Sequence, residues 1–285
     1  MSDPLSERPP VLANPRSDRI RQVAALSGRS FRKRTGRILV EGPQSVRELV
    51  RFRKEMIVDV YFTAFACERH PALYQEAMAA TRWVHLMSQE VSDKISRDCQ
   101  GVVAVATSDA IGEPSSYLDD VAEDAADGFS VILPALQDPG NMGTIIRSAD
   151  ALGARAVFVT RDSADPRSPK VIRASAGSVF HIDLVQTDLD SVYGALRARG
   201  VAIYGTALTL SADPLDDWIR VGEGGPLGVP HAWMFGNEAK GLTGPQMEAC
   251  DRLVQIQMRG AAESLNASAA AAVCLHASSF CSRGR

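Results

Sequence analysis

The sequence predicts an α/β fold, with a smaller N-terminal α/β domain followed by a larger C-terminal one. Three observations carry this. Short runs rich in Val, Ile and Phe alternate along the chain with stretches of helical spacing. In the C-terminal half these runs are continuously apolar, as parallel strands covered on both faces must be. Over residues 108–128 the composition shifts to Pro, Ser, Asp and Glu, which reads as a linker with room for one short helix. At 285 residues the chain has the length for two domains. The expected division is a polar tail at 1–14, a first domain at 15–107, the linker 108–128 and a second domain at 129–285.

In the first domain, Ile20, Val23, Ala24 and Leu26 give residues 18–26 helical spacing, and a basic stretch follows. Residues 38–40 read as a strand ended by Gly42-Pro43. Val46, Leu49 and Val50 then make 45–52 a helix. Strands are expected at 57–62, 84–86 and 101–106, with a helix at 71–80. In the second domain the expected strands are 130–134, 156–160, 182–185, 201–205, 232–235 and 253–256. The expected helices are 141–152, one beginning at 171–175, 189–199, a short one at 244–250 and a long apolar one at 265–279.

Composition excludes several classes. No run of 18 apolar residues exists, so no membrane span is expected. Residues 1–14 are polar and lack the apolar core of a signal peptide. The five cysteines (Cys67, Cys99, Cys250, Cys274 and Cys281) are scattered, with no C-x-x-C pair. This argues for reduced thiols in a cytoplasm, against disulfides and against structural zinc. The five histidines are isolated, so no metal is expected; each reads as surface or core filler. There is no G-x-G-x-x-G after a strand and no Walker A lysine, which weighs against nicotinamide and nucleoside-triphosphate chemistry.

The net charge of −3 hides an asymmetry: residues 15–54 hold twelve Lys/Arg against three Asp/Glu, whereas residues 55–285 hold 18 against 29. Arg29, Arg32, Lys33, Arg34 and Arg37 form the basic block. A surface for a polyanion and a solvated arginine-rich helix fit it equally well from charge alone.

An open parallel sheet binds ligands beyond the carboxyl ends of its strands. The loops there contain Gly205-Thr206, Gly236-Asn237 and Met258-Arg259-Gly260, which let backbone approach a ligand closely. Three motif blocks occupy the same half of the chain. The first is Asp138-Pro139-Gly140-Asn141-Met142-Gly143-Thr144-Ile145-Ile146-Arg147. The second is Phe235-Gly236-Asn237-Glu238-Ala239-Lys240-Gly241-Leu242. In the third, Ile256-Gln257-Met258 leads to Glu263-Ser264-Leu265-Asn266-Ala267-Ser268. In this order and spacing they resemble the SpoU (TrmH) family of RNA ribose 2′-O-methyltransferases, of the SPOUT superfamily. The resemblance covers residues 130–280. A weaker one covers 15–106, where the stretch from Arg29 to Glu48 with Leu39-Val40-Glu41-Gly42 resembles the opening of the family's L30e-like substrate-binding domain.

The resemblance implies a C-terminal trefoil knot formed by 236–242 and 256–266, a homodimer, and S-adenosyl-L-methionine as cofactor. It assigns cofactor contacts to Thr206, Ala207, Leu208, Gly236, Asn237, Ile256, Met258 and Leu265, and catalytic positions to Asn141, Arg147, Glu238, Ser264 and Asn266. The basic block would bind RNA. Ala174-Ser175-Ala176-Gly177, another family-like stretch, is expected beside the site. Gln257 and Ala267 stand where the family has proline and often valine, departures that touch loop stiffness and packing. The separate N-terminal domain, absent from minimal transfer-RNA members, favours ribosomal (23S-type) RNA. A transfer-RNA enzyme and an inactive RNA-binding adapter are the alternatives. Taken alone, Asn141 reads as a helix cap; within the three blocks it reads as an orienting amide, and both roles can hold. Asn266 reads as a cap or as an amide that holds the cofactor or ribose, and Glu238 as a surface carboxylate that, between Gly236 and Gly241, fixes the loop or meets Arg147.

Overall fold

The helices begin where side chains satisfy the open amides of a first turn. Ser17 accepts from the Ile20 amide, Thr63 from Ala66, Ser88 from Val91, Asp138 from Asn141, Ser168 from Val171 and Asp188 from Ser191. The structure, a computed structural model, describes residues 11–112, 117–237 and 240–281. In chain order the first elements are α1 (Asp18–Ala25), α2 (Arg29–Thr35), β1 (Arg37–Glu41), α3 (Pro43–Phe52), β2 (Ile57–Thr63), α4 (Ala64–Arg69), α5 (Pro71–Ala80), β3 (Val84–Met87), α6 (Gln89–Ile95) and β4 (Val102–Thr107). Then come α7 (Leu118–Ala125), β5 (Phe129–Leu133), α8 (Pro139–Leu152), β6 (Ala156–Thr160), α9 (Pro169–Ala174), β7 (Asp183–Thr187), α10 (Leu189–Arg197) and β8 (Ala202–Thr206). The chain continues through β9 (Asp213–Pro214), α11 (Leu215–Val221), β10 (His231–Met234), α12 (Gly244–Glu248), β11 (Arg252–Gln255) and α13 (Ala267–Cys281).

The chain divides into two compact units. One comprises residues up to Ala110 together with Arg167–Phe180; the other comprises Ile111–Pro166 and the chain from His181 on. This differs from the expected division in two places. Residues 167–180 belong to the first unit. There Val171 and Ile172 are buried, α9 lies on β1, and a Cβ at Gly177 would strike the Glu48 side chain of α3. The stretch 174–177, expected beside the methyl-transfer site, is therefore a packing element of the first unit. Second, the expected linker carries α7, whose Val121, Ala122 and Ala125 are buried in the second unit's core.

The first unit is a four-stranded sheet in the order β1-β4-β2-β3, mixed in direction, with a bulge in β2 between Ile57 and Asp59. Ile20 and Val23 of α1 pack with Leu39, Tyr61, Met87, Val103 and Val105 in one core. Arg173 of α9 pairs with Glu41 (Nη1 to Oε2, 2.6 Å) and Asp98 (2.9 Å). Burial of Glu41 raises its carboxyl pKa, against the pull of Ser96 and Arg173.

The second unit is a seven-stranded parallel sheet in the order β7-β6-β5-β10-β8-β11-β9. The strand sequence reverses beside β5, the kind of switch point at which such sheets bind ligands. Helix α13 packs against α8 and is anchored to β10 by a buried polar knot of side chains. Ser278 Oγ accepts from Trp233 Nε1 at 2.8 Å and lies 2.7 Å from His231 Nε2, while His231 Nδ1 lies 2.7 Å from the Val229 carbonyl. Burial lowers the His231 pKa to about 4, so this histidine is core filler, as expected, and stays neutral.

Candidate active site

The carboxyl ends of β8, β10 and β11 open into a cavity of about 500 Å³. All eight positions that the resemblance assigns to the cofactor line it: Thr206, Ala207 and Leu208 after β8, Gly236 and Asn237 after β10, Ile256 and Met258 after β11, and Leu265 before α13. The two segments assigned to the knot thus face one another across a single space. The wall also includes Lys240, Gly241 and Leu242, which belong to the second motif block, and Met247, Val254 and Ala270, for which the sequence offered no signal beyond apolarity.

The loops are fixed by backbone pairing. Thr206 Oγ1 donates to the Met234 carbonyl at 3.3 Å, and the Ala207 amide donates to the Val254 carbonyl at 3.0 Å, so the β8 loop is held from both neighbouring strands. Asn237 and Gly241 exchange backbone hydrogen bonds of 3.1 and 2.8 Å. Gly236 is required there: a Cβ would land on the Gly241 carbonyl carbon and the Leu242 amide nitrogen.

Asn237 has a second role. Its Nδ2 donates to the Ala135 carbonyl at 3.1 Å, tying the β10 loop to the turn that leads into α8. Ala135 sits at φ 50, a left-handed conformation uncommon for a residue with a Cβ. It is held by hydroxyls that the sequence reading missed. The Ala135 amide donates to Thr160 Oγ1 (2.9 Å), the Leu136 amide to Ser163 Oγ (3.1 Å), and Ser163 Oγ donates to the Leu133 carbonyl (3.1 Å). A serine and a threonine at the end of a strand carry no sequence mark of this work.

Helix α8 starts from that turn. Its cap is Asp138, whose Oδ1 accepts from the Asn141 amide at 2.7 Å, so Asn141 is the third residue of the helix and not its cap. The Asn141 side chain instead accepts from Asn266 Nδ2 at 3.0 Å. Asn266 Oδ1 in turn accepts from the Ser268 amide (2.8 Å) and hydroxyl (2.6 Å), so this residue caps α13 and links two motif blocks at once. Ser264, Leu265 and Ala267 around it line the cavity. Arg147 lies six residues, about 9 Å, further along α8; it is exposed and makes no hydrogen bond or ion pair with a described residue. The structure therefore joins Asn141 to Asn266, places Ser264, two residues before Asn266, on the cavity wall, and records no contact of Arg147 with them. Glu238 lies outside the described residues.

Among the described residues the cavity wall bears Lys240 and no Asp, Glu or His. The thiol of Cys250, pushed up to about 12 by burial beneath the β8 loop, is not a nucleophile. Leu208 and Leu265 are 62% and 41% exposed at the cavity. Apolar side chains, loop amides and one cation suit a flat heteroaromatic ring bearing a charged, flexible tail, so the residues present fit S-adenosylmethionine. No group of three His, Cys, Asp or Glu among the described residues could hold a metal ion, and no helix among them is long and apolar enough to cross a membrane.

In the first unit, Arg29, Lys33, Arg34 and Arg37 are exposed, with the Arg34 guanidinium 4.8 Å from the Phe31 ring centroid. Arg32 is a correction. It is 4% exposed, and its Nη1 donates to the carbonyls of Leu26 (3.0 Å) and Ser27 (2.7 Å), so it closes the end of α1 and is not available to RNA.

A parallel sheet with a glycine-edged cavity between the β8, β10 and β11 loops is the architecture of a SPOUT-class methyltransferase. The chain belongs to the SpoU rRNA methylase family, whose model matches residues 128–276; an MRM3-like substrate-binding domain matches residues 17–104. It is 33% identical to the 23S rRNA (guanosine-2′-O-)-methyltransferase RlmB of Bordetella pertussis over 247 residues, 84% of this chain and 96% of that one. Over 146 residues it is 38% identical to the 23S rRNA (guanosine(2553)-2′-O)-methyltransferase RlmP of Bacillus subtilis, covering 51% of this chain and 56% of that protein. The crystal structure of an AdoMet-bound rRNA methyltransferase from Sinorhizobium meliloti superposes with a TM-score of 0.78 at 25% identity, covering 94% and 97% of the two chains.

Proposed function

We propose that the chain methylates a ribose 2′-hydroxyl of 23S-type ribosomal RNA, holding S-adenosylmethionine in the cavity beyond β8, β10 and β11. The observation that carries this is the convergence of all eight expected cofactor positions on one cavity, with Asn141 and Asn266 joined beside it. Bound there, the cofactor supplies a methyl group already activated on a sulfonium. The protein's own task is to hold the acceptor oxygen in line and to stabilise the charge that develops on it.

The side chains divide that task. The Leu208 and Leu265 side chains, with the fixed amides of the β8 and β10 loops, would hold S-adenosylmethionine in the cavity. Asn141, kept in place by Asn266 and the Asp138 cap, orients the ribose. Arg147 binds an RNA phosphate bidentately and stabilises the oxyanion. It does not take the proton, since a guanidinium is effectively always charged; a phosphate oxygen or water accepts it. Arg29, Lys33, Arg34 and Arg37 hold RNA backbone, a contact that gives affinity without sequence choice.

The relatives named for guanosines of 23S RNA support that target over transfer RNA. The protein is read as a cytoplasmic homodimer, a state that analytical ultracentrifugation checks. Calorimetric titration with S-adenosylmethionine, paired with mass-spectrometric mapping of ribose methylation in RNA from a deletion strain, tests the whole reading. Saturable cofactor binding and one missing 23S methyl group are expected; an unchanged methylation map with no cofactor binding would leave an RNA-binding adapter.

A further inference from the structure

The first unit has a second cavity, of about 310 Å³, which none of the motif blocks touches. That volume is within the range of small-ligand clefts, roughly 300–1,000 Å³. Its floor is the turn Gln100-Gly101, both residues left-handed (φ 53 and 78), at the point where β4 begins beside the end of β2. Gly101 has no room for a side chain, because a Cβ would strike Thr63 Oγ1. The walls come from α4 and α6 and from the residues just after each: Phe65, Arg69 and His70 on one side, Gln89 and Arg97 on the other.

Three of these groups are unengaged. Phe65 is 65% exposed and has no ring partner, and neither Arg69 nor Arg97 makes an ion pair with a described residue. The cavity's one carboxylate, Asp93, already accepts from Gln89 Nε2 at 2.7 Å. Burial and the neighbouring Arg69 lower the His70 pKa, so the two guanidiniums stand against the single Asp93 carboxylate and the balance of charge in the cavity is positive. An exposed aromatic face in one cavity with two arginines, one on its own helix and one on the opposite wall, matches one unstacked nucleotide and its flanking phosphates. A free carboxylate or an apolar ligand would use one half of this set and leave the other idle.

The position separates this cavity from the basic segment. Arg37 pairs with Thr107 at one end of the sheet, whereas Glu41 pairs with Val103 at the end where the cavity lies. At about 3.3 Å per residue, the two ends of β1 are about 13 Å apart. An RNA held at both ends spans the sheet's length.

We propose that the cavity of Phe65, Arg69 and Arg97 is a subsite for a single unstacked nucleotide of the RNA substrate. The base stacks on Phe65, and the two arginines hold the flanking phosphates. This rests on the reading of the chain as an RNA methyltransferase. It places the capture of an unstacked nucleotide on side chains at the far end of the sheet from the basic block.

The test uses the full chain and two probes: a single-stranded oligouridine with one central 2-aminopurine, and a 23S RNA transcript for methyl incorporation. The wild-type protein is expected to quench the 2-aminopurine. Phe65→Ala should abolish the quench and weaken binding by about 5- to 100-fold, and Phe65→Trp should restore both. Arg69→Gln and Arg97→Gln should each lower the slope of log affinity against log salt by about 0.7. The triple variant of Arg29, Lys33 and Arg34 to Gln should weaken binding yet keep the quench. Melting curves and retained S-adenosylmethionine binding show that each variant is folded. A folded Phe65→Ala with wild-type affinity and quench overturns the subsite while wild-type methylation leaves the enzyme standing. A wild-type protein that neither binds the oligonucleotide nor methylates the transcript overturns both.

Discussion

The two cavities are built on opposite principles. The one in the second unit is made of loop backbone and apolar side chains at the carboxyl ends of parallel strands, with glycine where chains touch. The one in the first unit is made of long polar side chains projecting from helices and a turn. Backbone recognition is rigid and depends on a few residue types that nothing else can replace. Side-chain recognition is adjustable, because Arg and Phe can be exchanged without disturbing the strands beneath them. A protein that uses one cofactor but acts on a large RNA has reason to build the two differently.

That contrast can be broken most severely at Gly236. Gly236→Val forces a side chain into the backbone of Gly241 and Leu242. It should remove detectable S-adenosylmethionine binding in calorimetry, a loss beyond about 100-fold, while oligonucleotide quenching at the first unit persists. If the cofactor still binds, the loop is not the rigid element described here. Next is Arg147→Lys, which keeps the charge and loses the planar fork. We expect turnover to fall by about 100-fold with the cofactor dissociation constant unchanged. Single-turnover methyl transfer at saturating cofactor measures it, and wild-type rates would rule out bidentate phosphate binding.

Acid should act on the second unit through His231. Burial holds its pKa at about 4, whereas the unfolded chain has the ordinary value near 6.5. Between these values the unfolded chain binds a proton that the folded one does not. The stability is therefore full above pH 6.5 and is lost as pH falls toward 4, by about 3 kcal/mol. Urea melts at pH 7.5 and 4.5 measure the difference, and His231→Gln should reduce it.

A smaller effect separates the two roles of Asn266. Serine caps a helix about as well as asparagine but does not reach Asn141. Asn266→Ser should keep the melting temperature and lower turnover by about tenfold, a factor that corresponds to about 1.4 kcal/mol. Equal losses in both measurements would make the residue a cap alone. The smallest change concerns the basic segment. Replacing Arg29, Lys33 and Arg34 with Gln should lower the salt slope of RNA binding by about two to three, without loss of stability. Arg32→Gln should do the reverse, lowering the melting temperature and leaving the slope untouched.

Much of the second unit was readable in the sequence, because its strands are unbroken runs such as residues 130–133 and 156–159 and its helices are long enough for several turns of apolar spacing. The short helices α2, α4, α6 and α11, of six or seven residues, were not assigned. One or two turns carry too few apolar positions to define a period. Arg32 was misplaced because charge was counted along the chain, whereas α2 turns that one guanidinium inward to the carbonyls of Leu26 and Ser27. Taken alone, Asn141 reads as a cap because Asn is a good one, yet Asp138 three residues earlier takes that position and leaves the Asn141 side chain to its other role.

The linear order of residues was sufficient to determine the α/β class, the three motif blocks and the family they define, because glycine turns, apolar strands and the spacing of motif residues are read directly along the chain. It could not determine that residues 167–180 leave one unit to join the other, that Asn266 meets Asn141 across 125 positions of chain, or that Thr160 and Ser163 hold the turn before α8. Those are contacts between segments distant in sequence. They arise only when the folded backbone brings unrelated side chains within hydrogen-bonding reach, and no local pattern records them.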